Sequence, residues 1–200
     1  MRFLIFAAIL FLTAIPARAE FVNCNPAQIG AIQKAMSNAR NAVSIATTAV
    51  HPESTIYQRW FGHWDTSRAN DVRRSLAAIK EVLDESILRV NCARPLQDGC
   101  SGSVYANVWP DRPFQINICN NFFNLPQLSG DKNRAGFNRV GTMAGTMVHE
   151  LSHFDNVAAT DDNIYTRGRS IEMARETPGL AVRNADSYQY FVEDAYLKGL

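Results

Sequence analysis

Apolar residues fall at helical spacing over several stretches of this chain. Ile29, Ile32, Met36, Ala39, Val43 and Ala46 recur at three- to four-residue intervals after Asn25-Pro26, a capping residue followed by a proline suited to a first helical turn. This predicts a long amphipathic helix to about Val50, closed by a turn at His51-Pro52. Val72, Leu76, Ile79, Leu83 and Ile87 mark a second helix that starts at Asp65 or Ser67, with Arg73, Arg74 and Lys80 on its solvent face. Helical character returns over residues 141–154 and 181–197, while 168–179 reads as mixed.

Between these helices the period changes. Residues 103–109 and 114–119 are β-rich and flank Pro110-Asp111-Arg112-Pro113, which predicts a hairpin. Residues 130–134 read as a polar loop. Without a repeat, linker or low-complexity segment, the pattern predicts one α+β domain, predominantly helical, with a small β-sheet or hairpin.

The N-terminus departs from this pattern. Arg2 precedes an apolar run over 3–15 broken only by Thr13, and Ala17-Arg18-Ala19 puts small residues where a signal peptidase reads. The run is too short to span a hydrocarbon core of ~30 Å, so a signal peptide over 1–19 is expected, with the working domain over 20–200. The expected product is exported, secreted or periplasmic, without a membrane partner. Four cysteines, Cys24, Cys92, Cys100 and Cys119, agree with export and allow two disulfides in three connectivities.

Charge narrows the partners. Twenty Lys and Arg against 19 Asp and Glu exclude the strongly basic signature of a nucleic-acid binder.

One motif carries chemistry: His149-Glu150-Leu151-Ser152-His153. On a helix, residues i and i+4 share a face, so two imidazoles can meet one Zn²⁺, with Glu150 beside it to take a proton from water. A catalytic zinc needs a third protein ligand. Asn156 and Ala159 stand where a metzincin would place Gly and His. Glu172, with Glu176, fits a gluzincin arrangement, and the run from Ala159 to Tyr165 offers aspartates, with Asp155 also nearby.

The chain here resembles the aspzincins, the deuterolysins and peptidyl-lysine metalloendopeptidases, whose signature is HExxH followed by GTxDxxYG. The resemblance implies a zincin-like metalloprotease fold and one Zn²⁺ per chain. It makes Asp162 the third ligand and Tyr165 the oxyanion-stabilising residue. It extends to Trp60-Phe61-Gly62, Ser67-Arg68, Val108-Trp109-Pro110, Ala144-Gly145-Thr146, Asn184-Ala185-Asp186 and Tyr190-Phe191, and implies disulfides Cys24–Cys92 and Cys100–Cys119. Ala159 and Thr166 replace the two signature glycines; both object if those glycines sit at positive φ, the β-branched threonine more.

In the lysine-specific members an acidic pocket receives the side chain after the scissile bond. Asp186 matches one of its acids, and Gln189 stands where the second acid belongs. The resemblance implies cleavage of protein or peptide substrates by a monomer, with a relaxed preference for Lys or Arg after the bond. Asp186 equally suits a helix N-cap. The alternative from another class is a catalytically silent, zinc-stabilised binding or inhibitor module. No propeptide is evident before Cys24, so an active enzyme calls for another restraint, such as export or an inhibitor partner.

Overall fold

The computed structural model describes residues 19–85, 87–129 and 140–199. The signal-peptide reading, up to Arg18, and the polar loop at 130–134 lie outside the described residues.

Asn25 caps the first helix, α1 (Pro26–Thr48), through a reciprocal pair: its side chain accepts from Gln28 N, and Gln28 Oε1 accepts from Asn25 N, each at 2.9 Å. Ile32, Ala35, Met36, Ala39, Ala42, Val43 and Ala46 form its buried stripe. The alanines in that stripe let neighbouring helices approach closely.

The sequence pattern misses α2 (Thr55–Phe61). Seven residues are too few to show a period, and the side chains Tyr57, Trp60 and Phe61 are all buried. Ser54 caps its start, and Gly62 ends it at φ 78°, where a Cβ would lie 2.5 Å from the Ala174 carbonyl. No other residue fits there without displacing backbone. Helix α3 (Thr66–Glu85) begins with Asp65 accepting from Arg68 N at 2.8 Å and buries Val72, Leu76, Ile79 and Leu83. Ile87 lies beyond its end and outside the stripe expected of it.

The expected hairpin forms from β3 (Ala106–Val108) and β4 (Gln115–Ile118), antiparallel with Asn107 opposite Asn117. Two strands were not expected, β1 (Glu20–Val22) and β2 (Arg89–Cys92). They pair in parallel, β2 also pairs parallel to β4, and the order is β1-β2-β4-β3. Disulfide Cys24–Cys92 clamps the residues after β1 to the end of β2, and Cys100–Cys119 closes the loop around the hairpin.

The last third holds α4 (Met143–His153), α5 (Arg167–Glu176), α6 (Pro178–Ala181) and α7 (Ala185–Lys198). The stretch 168–179 is thus mostly helical rather than mixed. Helix α4 packs against α1, α3, α7 and the edge strand β3, so all eleven of its residues are buried. A helix covered on every side needs small residues, and Gly145 is the tightest point: a Cβ there would lie 2.1 Å from Glu193 Oε1 on α7. No helix among the described residues is long and apolar enough to cross a membrane.

Candidate active site

Helix α4 starts at Thr142, whose hydroxyl accepts from Gly145 N at 2.9 Å, and ends with His153 at its last position. Its i and i+4 histidines project together, with ring centroids 4.9 Å apart and nearly perpendicular planes. Asp162 Oδ1 lies 3.1 Å from His149 Nε2 and 3.4 Å from His153 Nε2. Two ligands held ~2.0–2.1 Å from a tetrahedral ion are separated by about 3.3–3.4 Å, so this spacing suits one zinc. Among the described residues, His149, His153 and Asp162 form the group whose ligand atoms converge in this way.

The electrostatics of the cluster agree. Burial works against a protonated His149, yet Asp162 and Asp186 outweigh it and lift its pKa to about 10. The surroundings favour a positive charge between these rings. Burial also raises Glu150, against the pull of the two histidines. A raised carboxylate is better placed to accept and return a proton near neutral pH.

Each histidine is oriented through its other nitrogen. His153 Nδ1 lies 2.8 Å from the Thr160 carbonyl. His149 Nδ1 lies 3.0 Å from Asp186 Oδ1, at ion-pair distance but off the line of an ideal N–H bond. These contacts leave both Nε2 atoms facing Asp162.

The loop bearing Asp162 and Tyr165 is held from two sides. Thr160 N donates to Ser152 O at 3.1 Å, anchoring it to α4. On the other side Asp161 N donates to Arg183 O at 2.8 Å, and Ile164 N donates to Asn184 Oδ1 at 3.0 Å. Tyr165 stacks parallel to the His149 ring with centroids 6.5 Å apart and is 54% exposed. Burial of its hydroxyl, with the Asp162 carboxylate beside it, keeps it protonated well above the ordinary tyrosine range.

Both positions where glycine was expected do adopt positive φ: 47° at Ala159 and 80° at Thr166. Ala159 occupies the left-handed region, whereas Thr166, at ψ 147°, holds a conformation scarcely open to a β-branched residue.

A cleft of about 560 Å³ opens over this group. His149, Glu150 and Asp162 line it together with Ser103 to Ala106 and with Tyr165, Asp186 and Gln189. Asp186 does not serve as a helix cap. It is 5% exposed, with Oδ2 accepting from Thr166 N at 2.7 Å. Gln189 packs against Gly141 and Gly145. Glu172 is exposed on α5, outside the converging group, as are Glu176, Asp155 and Asp161.

Sequence reasoning missed three residues that frame the site. Arg167, the first residue of α5, donates to Glu193 at 2.8 Å and to Asp194 at 2.7 Å, and Glu193 accepts from Thr142. The signal that could have found them is the adjacent acid pair Glu193-Asp194, buried on a helix that also buries Asp186, Ser187 and Gln189.

The model of a family described as lysine-specific metallo-endopeptidase, the M35 aspzincins, matches residues 46–193. The extracellular protease of Aeromonas hydrophila is 33% identical over 197 residues, covering 96% of this chain and 52% of that protein. The chain therefore spans about half the length of that relative. The peptidyl-Lys metalloendopeptidase of Pleurotus ostreatus is 33% identical over 182 residues, covering 88% of this chain and 97% of that one. A solved zinc peptidase from Grifola frondosa superposes with a TM-score of 0.72 at 27% identity, over 86% of this chain and 97% of its own.

Proposed function

Since this chain belongs to the aspzincin family of metallo-endopeptidases, we propose that it is an exported, monomeric zinc endopeptidase that hydrolyses peptide bonds and prefers Lys or Arg after the cut. One observation carries the reading: the convergence of His149, His153 and Asp162 beside Glu150 at an open cleft.

His149, His153 and Asp162 would hold one zinc per chain. Bound there, zinc would supply a Lewis acid that polarises a carbonyl and lowers the pKa of a water molecule. Glu150 takes a proton from the attacking water on its carboxylate and passes it to the leaving amine. Tyr165, kept protonated by burial of its hydroxyl and by the carboxylate next to it, donates a hydrogen bond to the developing oxyanion. Its exposure leaves it free to meet a substrate in the cleft.

Asp186 and Gln189 support the basic preference. A carboxylate and an amide lining one cleft attract a cationic side chain, less exclusively than two carboxylates would. The Pleurotus relative is named for cleavage at lysine.

Digestion of an unfolded protein by the zinc-loaded chain, with Glu150→Gln as control and every new N-terminus read by mass spectrometry, tests the proposal. The expected result is cuts enriched in Lys or Arg after the bond, with turnover lowered about 10²–10⁴-fold in the control while zinc stays bound. Unbiased cuts would remove the basic preference. Zinc bound one per chain without cuts would assign the protein to the silent binding class.

A further inference from the structure

Asp186 sits second in α7 with each of its carboxylate oxygens committed to a different part of the site. Oδ1 lies 3.0 Å from His149 Nδ1, and Oδ2 accepts from Thr166 N at 2.7 Å. Thr166 directly follows Tyr165, whose ring lies parallel to that of His149. One buried carboxylate therefore reaches from a candidate metal ligand to the backbone that carries the candidate oxyanion donor.

His153 is held by backbone rather than by a side chain. Its Nδ1 meets the Thr160 carbonyl, a main-chain atom fixed to α4 through Thr160 N and Ser152 O. His149 instead depends on a side chain delivered from α7, which also lines the cleft. The Thr166 contact has a second demand on it. At φ 80° a threonine holds a strained backbone conformation, and in it the Thr166 N–H donates to Asp186. The short bond to Asp186 Oδ2 is what holds this backbone in place on the side of α7.

Resting on the zinc-peptidase reading above, we infer that Asp186 is a positioning residue, one that orients His149 toward the metal and holds the Tyr165 loop against it, in addition to facing the substrate. Its carboxylate, 3.0 Å from Nδ1, favours by its charge the His149 tautomer with the proton on Nδ1 and the lone pair on Nε2. Its loss weakens metal binding and displaces Tyr165 for every substrate, whatever side chain follows the scissile bond. A residue that only formed a wall for basic side chains would do neither.

The experiment compares Asp186→Ala, Asp186→Asn and Gln189→Glu with the wild type. Zinc affinity is measured on folded apoprotein by competition with a chromogenic chelator, and kcat and KM on peptides differing only in Lys or Ala after the bond. Asp186→Ala is expected to bind zinc 10–100-fold more weakly, the range for loss of a ligand-orienting partner, and to lose kcat at saturating zinc by the same factor on both peptides. Asp186→Asn, which keeps an oxygen for His149 but no anion for Thr166, should lose less affinity and still lose kcat on both. Gln189→Glu should shift only the Lys-to-Ala ratio, with zinc affinity unchanged. Zinc affinity within twofold of wild type in Asp186→Ala, or a loss confined to KM for the Lys peptide, overturns the inference. If Asp186→Ala fails to fold, the isosteric Asp186→Asn decides by the same two readouts. A wild type that binds no zinc would instead sink the functional reading itself.

Discussion

Glu193 Oε1 accepts both the backbone N–H of Thr142, at 2.8 Å, and its hydroxyl, at 2.9 Å. Thr142 caps the helix that carries His149 and His153, and the other Glu193 oxygen meets Arg167 at 2.8 Å, two residues after Tyr165. A fully buried carboxylate thus joins the start of the HExxH helix to the far end of the Tyr165 loop.

Burial pushes Glu193 up to about 7, outweighing Arg167 and Thr142, which both pull it down. A group whose folded pKa is raised contributes stability that is complete below its unfolded value and is lost as pH climbs through the folded one. Glutamine imitates the protonated form. The stability of wild type relative to Glu193→Gln, from denaturant unfolding, should therefore fall between about pH 4.5 and 7 and be flat outside that window. A difference that grows with pH would mean that the Arg167 pair outweighs burial.

Thr166→Gly should stabilise the protein by about 1 kcal/mol: relief of about 1–3 kcal/mol of strain, less about 0.5–1 for the freer unfolded chain. Ala159→Gly should stabilise by less, about 0.5 kcal/mol, because a left-handed alanine costs only about 1–2 kcal/mol and the same entropy takes back about 0.5–1 of it. Thermal unfolding distinguishes them, since about 1 kcal/mol shifts the midpoint by roughly 2–4 °C in a chain of this size. Equal shifts would contradict the strain assigned to Thr166.

Asp162→Ala should abolish stoichiometric zinc in equilibrium dialysis and lower turnover by at least about 10²-fold, the scale on which positioned catalytic groups contribute. Glu172→Ala removes an exposed side chain on α5 and should leave both within about twofold. The reverse pattern would restore the glutamate-ligand arrangement.

Four asparagines span the sheet side by side: Asn23 to Asn91 at 2.9 Å, Asn91 to Asn117 at 3.0 Å, and Asn117 to Asn107 at 3.0 Å. Asn117, 7% exposed, is the buried link. Asn117→Ala removes the donor to Asn107 Oδ1 and one of the two acceptors of Asn91 Nδ2, which keeps Asp98, and should cost about 1–2 kcal/mol in chemical unfolding. Asn23→Gly, which removes the exposed end of the ladder without straining its φ of 58°, should cost less than about 0.5 kcal/mol. A similar cost for both would show that the ladder does not act as a linked unit.

The readable features are those set within a few residues of chain. Asn25 and Pro26 start a helix through contacts three residues away, and the four-residue spacing of His149 and His153 alone puts both on one face. The hairpin was legible because two prolines frame its turn. Ala159 and Thr166 stood out as departures, and both occupy the backbone conformations that glycine suits.

What folding alone decides lies between distant segments. Three-residue β1 and four-residue β2 carry no period of their own, and Phe21 becomes a strand residue only by pairing with Val90. Glu172 and Asp162 looked comparable on spacing, but the bridge between Asp161 and Asn184 turns one toward the histidines, while α5 carries the other to solvent. Asp186 fits a pocket wall or a helix cap by residue type; packing of α7 on α4 brings its carboxylate to His149. Local backbone preference acts over one turn of chain, whereas the direction of a side chain at a site depends on which surfaces bury one another.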